Sequence, residues 1–133
     1  MAKVQLRNEL VFKAPTRVGL LADVAEALAE AGVDIEAIGA YDKGGFGEFL
    51  LVTSDNRATG AALESFDGEI DLVPVVLIET ASEPGALARI ARRISDAGLN
   101  IDQVHATTTS GDTATIVLRG DDETRIVDLL ADA

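Results

Sequence analysis

The sequence predicts an α+β chain made of two copies of one β-α-β-β-α unit, each with an antiparallel sheet and helices packed on one face. Three observations lead there. The stretch 16-TRVGLLADVAEALAEAGVDIEAIGAY-41 matches 82-SEPGALARIARRISDAGLNIDQVHAT-107 without a gap at an offset of 66, with eight of 26 pairs identical. Within each copy the apolar period switches between the helical 3.6 and the strand value of 2. Glycines bracket the first helix at the same places in both copies, Gly19 and Gly32 in one, Gly85 and Gly98 in the other.

Each element follows in order. A β-rich run opens each copy, at 10–13 and at 75–80. A helix comes next, with Val18, Leu21, Val24, Ala25 and Leu28 at helical spacing in the first copy and Leu87, Ile90, Ala91 and Ile94 in the second. Gly32 and Gly98 stand where such a helix ends in a left-handed cap. The runs VDIEAIGAY and LNIDQVHAT then alternate as half-buried strands do. The turns 42-DKGG-45 and 108-TTSGD-112 read as hairpin connections. A third strand follows at 46–54 and at 113–120. Asp55 and Asp121 are placed to cap a second, shorter helix, at 57–66 and at 123–131.

One more strand per copy completes the split βαββαβ pattern of ferredoxin-like folds. In the first copy 69-EIDLV-73 supplies it. The second copy reaches residue 133 directly after its second helix, and the 66-residue offset pairs 69–73 with 3-KVQLR-7. We therefore expect a first repeat over 1–68 closed by 69–73, and a second over 69–133 whose last strand is 3–7. The alternative is that 3–14 is one long first strand.

Composition narrows the function classes. The net charge of −12 opposes a nucleic-acid partner, which a basic face would attract. No apolar run approaches the roughly 18 residues that span a bilayer, and MAKVQLRNEL does not have the apolar core of a signal peptide. A cytoplasmic protein with no membrane partner is the expectation. With no cysteine and a single histidine, His105, a metal site is not expected. Catalytic motifs are absent as well: 43-KGGFG-47 lies between two strands, without the helix and Lys-Ser/Thr of a phosphate loop. Neither an enzyme nor a cofactor is indicated.

The motif 82-SEPGAL-87 followed by 98-GLNI-101, with 16-TRVGLL-21 and 32-GVDI-35 at equal offset, resembles a tandem of ACT domains over nearly the whole chain. That resemblance implies a regulatory module that binds a free amino acid. Such units associate side by side through the first helix and second strand, with ligand at the seam between units. It also implies a homodimer and a partner enzyme or regulator that receives the signal. The chain departs from the family pattern at Val18, where proline is usual, and at Thr16 and Ser82, where Asp or Asn is frequent. The alternative function is a structural or oligomerisation module with no ligand.

The expected ligand-binding residues are Thr16, Arg17, Gly19, Leu20, Asp34 and Ile35 in the first repeat. In the second they are Ser82, Pro84, Gly85, Ala86, Asn100 and Ile101. Thr16 and Ser82 are read as N-caps. With Gly rather than Glu or Gln three residues on, no capping box forms and the first-turn N–H groups stay open to a carboxylate. Gly19 and Gly85 serve either that opening or close packing of the helix start, where a Cβ would clash. Asp34 and Asn100 serve either turn chemistry or the ligand's polar groups. Arg17 is either a solvated charge or a carboxylate clamp. Leu20, Ile35 and Ile101 are core first and pocket wall second. An aromatic content of 4% points mildly to a small or aliphatic ligand.

Overall fold

A computed structural model of the chain describes residues 2–108 and 111–131. The elements run β1 (Lys3–Pro15), α1 (Leu20–Glu30), β2 (Ile35–Lys43), β3 (Phe46–Thr53) and α2 (Asn56–Leu63). After them come β4 (Glu69–Ala81), α3 (Ala86–Asp96), β5 (Ile101–Thr108), β6 (Thr113–Gly120) and α4 (Glu123–Leu130). The chain divides into two compact units, Asn8–Val73 and Met1–Arg7 with Pro74–Ala133. The strands β1 and β4 are each 13 residues long and each serves both units. Residues 3–14 are thus one continuous strand, and its 3–7 part belongs with the later unit. Proline has no N–H for a strand ladder; in β4 it stands at Pro74, where the strand passes from one unit to the other.

In the Asn8–Val73 unit the strand order is β2-β3-β1-β4. The strands β1 and β2 both run antiparallel to β3, so Leu51 faces Leu10 on one side and Ile38 on the other. Leu20, Val24 and Leu28, four residues apart, form the buried stripe of α1. They join Leu10, Phe12, Phe49, Leu51 and Leu63 in one core. The other unit repeats the plan as β1-β4-β6-β5. Ala86, Ile90 and Ile94 form the stripe of α3, and Val76, Ile78, Ile116, Leu118, Ile126 and Leu130 complete the core. Ala2 and Val4 pack against it, which is how the start of the chain is tied to this unit. Helices on one face of an antiparallel sheet, in ferredoxin-like order, are what the sequence predicts. The strand interiors go further: Phe49–Thr53, Val75–Ile78 and Ile116–Leu118 are buried at every residue, so these strands are covered on both faces.

The first helices end as expected. Gly32 (φ +73°) and Gly98 (φ +76°) adopt the left-handed conformation. Val33 N–H donates to Leu28 O and Gly32 N–H to Ala29 O, with Leu99 to Ile94 and Gly98 to Ser95 as the counterpart. This is the Schellman pattern at both ends. Gly44 and Gly45, both at positive φ, make the two-residue turn between β2 and β3. The equivalent turn after Thr108 falls partly on 109–110, outside the described residues.

One expectation is corrected here. Asp121 does not cap α4; Asp122 does, its carboxylate accepting from Arg125 N–H at 3.0 Å. Asp55 caps α2 in the same way, through Ala58 N–H. The hairpin of the later unit is one residue longer, so beyond it equivalent residues lie 67 apart: Phe46 matches Thr113, and Asn56 matches Glu123. Asp121 is thereby the counterpart of Ser54. Each joins the third strand to the start of the second: Asp34 N–H donates to Ser54 Oγ and Asn100 N–H to Asp121 Oδ2, both at 2.9 Å.

Candidate functional site

The loops that open α1 and α3 are tight turns of one kind. Leu20 N–H donates to Arg17 O and Ala86 N–H to Glu83 O, each at 3.2 Å. Gly19 (φ 87°, ψ 1°) and Gly85 (φ 88°, ψ −3°) hold the third position of these turns. Those are the dihedrals of a type II turn, with Val18 or Pro84 at its second position. The glycines, and not Thr16 and Ser82, are therefore the N-caps, and no side chain caps either helix. Close packing is not what demands glycine. A Cβ at Gly19 would meet only Arg17 Nη1 at 4.0 Å, and one at Gly85 only Arg89 Nη1 at 3.3 Å. The demand is the positive φ. Leu20 N–H and Ala86 N–H are held within the turns themselves, and no side chain takes up the other first-turn N–H groups as a cap.

The hydroxyls expected at the caps point elsewhere. Thr16 Oγ1 donates to Asp42 Oδ1 at 2.6 Å. Ser82 Oγ and Thr108 Oγ1 share a hydrogen bond at 2.8 Å. Both tie the helix-opening loop to the end of the second strand. Arg17 is paired with Asp23 at 2.7 Å, with both side chains half exposed. The same two positions of the later unit carry the reverse pair, Glu83 with Arg89 at 2.6 Å.

Within the later unit the expected site residues separate into two groups. Ser82, Pro84, Gly85 and Ala86 gather at the head of α3. Asn100 and Ile101 lie past its other end, about 16 Å away along an 11-residue helix. Asn100 Nδ2 donates to Asp102 Oδ1 at 3.0 Å, and its backbone N–H and carbonyl both bond to Asp121. Asp34 and Ile35 stand at the same distance from Gly19 by the same plan. One ligand does not touch both groups of one unit.

At the head of α3 there is a cavity of about 200 Å³. Ser82, Glu83, Ala86 and Leu87 line it from the turn and helix, Ala106, Thr107 and Thr108 from β5, and Ala114 and Ile116 from β6. It combines the hydroxyls of Ser82 and Thr108 and the Arg89-paired carboxylate of Glu83 with a small apolar floor; Thr107, between Ala106 and Thr108 on the strand, turns its side chain to the other face. The sequence reading missed its strand half. The small residues Ala106 and Ala114 were the available signal, but their meeting with Ala86 depends on strand register. At the head of α1, Arg17, Leu20 and Asp23 line a larger cleft of about 570 Å³ with Ala14, Pro15 and Phe66; its counterpart in the later unit is the cleft lined by Thr80, Ala81, Glu83, Ala86 and Arg89, and not the cavity against β5 and β6.

No helix of the described residues is long and apolar enough to cross a membrane. Among curated proteins no sequence matches. Solved structures do match, at identities that speak for the fold. Protein BT0572 from Bacteroides thetaiotaomicron is 22% identical, with a TM-score of 0.86 over 97% of this chain and 89% of that one. The ligand-free regulatory subunit of aspartate kinase from Thermus thermophilus is 19% identical, with a TM-score of 0.73 over 99% and 95%. The corresponding subunit from Thermus flavus is 19% identical, with a TM-score of 0.65 over 96% and 90%. The family model for the ACT domain matches twice, at residues 8–68 and 75–132. The two matched segments are the two units but for their shared strands, and the chain belongs to the ACT domain family.

Proposed function

We propose that the chain is a non-catalytic regulatory module that binds a free amino acid and passes the event to a partner protein. The carrying observation is the cavity at the head of α3, where hydroxyls and small apolar side chains adjoin an uncapped helix start. The ligand carboxylate faces the first-turn N–H groups beside Gly85, where the helix dipole favours an anion. Glu83 accepts from its ammonium, and the apolar floor takes its side chain. Asn100 or Asp34, which lie at the far end of their own units, contribute from a unit of a second copy. The regulatory reading is supported by the aspartate kinase subunits that share the fold.

The surface favours such a homodimer. Leu21 and Leu87 occupy equivalent helix positions, and Ile38 and Val104 equivalent positions on β2 and β5. All four are about half exposed. A repeated apolar patch on the first helix and second strand suits side-by-side association, and binding there would bias the pose of the joined units.

A thermal-shift screen of the full chain against the common amino acids tests the proposal. At a hundred times Kd a ligand adds about 2.7 kcal/mol, a rise of several degrees for a domain of this size. No rise with any amino acid at millimolar concentration sinks the binding role and leaves association alone as the function.

A further inference from the structure

We infer that the cavity of the later unit, and not its counterpart in the Asn8–Val73 unit, takes the ligand, and that the ligand's side chain is small, branched and aliphatic. This rests on the amino-acid-binding role proposed above. The two units carry different residues at the same places. Ala86, Ala114 and Ile116 of one correspond to Leu20, Gly47 and Phe49 of the other. In the earlier unit a Cβ at Gly47 would lie 2.9 Å from Leu20 Cδ2 and 3.5 Å from Phe49 Cε1. The isobutyl end of Leu20 and the Phe49 ring therefore fill the flank of that strand themselves. In the later unit both are cut back, and the space they would occupy is the cavity of about 200 Å³.

The filled unit shows what the open one accepts. The ligand side chain stands where Leu20 stands. It has less room on one side, because Ala114 brings a methyl to the point against which Leu20 Cδ2 presses. An isopropyl group satisfies both conditions, and a phenyl ring does not. Charge at the mouth separates the units as well. Asp42 lies hydrogen-bonded to Thr16 in the earlier unit, whereas Thr108 holds the corresponding place beside Ser82. At that strand position an α-carboxylate meets a like charge in the earlier unit and a neutral hydroxyl in the later one, where the carboxylate at the mouth, Glu83, is paired with Arg89 as Arg17 is with Asp23 in the earlier unit.

Isothermal titration of the full chain with L-valine, L-leucine, L-phenylalanine and glycine tests this. L-valine is expected to bind tightest, at one equivalent per chain. The double variant Ala86→Leu with Ala114→Gly installs the pair that already packs in the earlier unit. It is expected to weaken L-valine by roughly ten- to a hundredfold, the worth of a buried aliphatic side chain. Thr108→Asp leaves the floor intact and is expected to weaken it at least roughly tenfold through repulsion, so the test survives a misfolded double variant. Tightest binding of L-phenylalanine, two equivalents per chain, or full L-valine affinity in both variants overturns the inference while leaving amino-acid binding in place. If none of the amino acids in the wider thermal screen binds the unaltered chain, both fall together.

Discussion

Replacing Gly85 with alanine isolates the reason a glycine heads α3. Its backbone sits at φ 88° and ψ −3°, and the atom a new Cβ would approach, Arg89 Nη1 at 3.3 Å, is the far end of a flexible side chain. The cost is therefore conformational rather than steric. An L-residue held in the left-handed region loses about 1–2 kcal/mol, which for a chain of this length lowers the melting temperature by roughly 3–8 °C. Asparagine visits that region more readily and should cost less. Gly60 is the internal control: it lies within α2, a Cβ there meets nothing within 4 Å, and its φ is not positive. Gly60→Ala should stabilise by about 0.5–1 kcal/mol. Urea titration of the three variants, read as midpoint shifts at constant slope, makes the comparison. If Gly85→Ala proves as harmless as Gly60→Ala, or Asn as harmful as Ala, the turn does not demand glycine and the explanation fails.

Two further outcomes are expected. Asp122→Ala removes the hydrogen bond to Arg125 N–H and should cost about 1 kcal/mol in a denaturant titration; an unchanged midpoint would return the cap to Asp121. Deleting residues 1–7 removes Val4 from the core of the later unit, so amide exchange should accelerate through β6 and α4 while β3 keeps its protection; uniform protection would show that this strand segment is dispensable.

The repeat, the helix stripes and the Schellman ends were legible because each rests on local spacing. The one-residue insertion in the second hairpin was not. Asp121 and Asp122 are adjacent, so a gapless comparison still finds an aspartate opposite Asp55 and hides the shift. The turn before α3 was half legible. Glu-Pro-Gly-Ala is a type II signal in itself, but the first copy has Val18 in place of proline, and the comparison drew attention to cap chemistry at Thr16 and Ser82. Two-sided burial was written in the unbroken runs FLLVT, VVLI and IVL, which do not alternate as a one-sided strand does. The cavity was beyond reach, because residues 86 and 114 become neighbours only through the register of β4 with β6.

The sharing of β1 has a consequence for the order of synthesis. Residues 3–7 emerge well before the strands and helices of the unit that they complete, while Asn8–Val73 is a continuous stretch that can close as soon as its own last strand is made. At about 5–20 residues per second, the early segment waits roughly 4–15 s for its neighbour β4. During that interval it is a bare strand in search of a partner. Lys3, Gln5 and Arg7 alternate with Val4 and Leu6, and charge on one face of an unpaired strand is what discourages a wrong one.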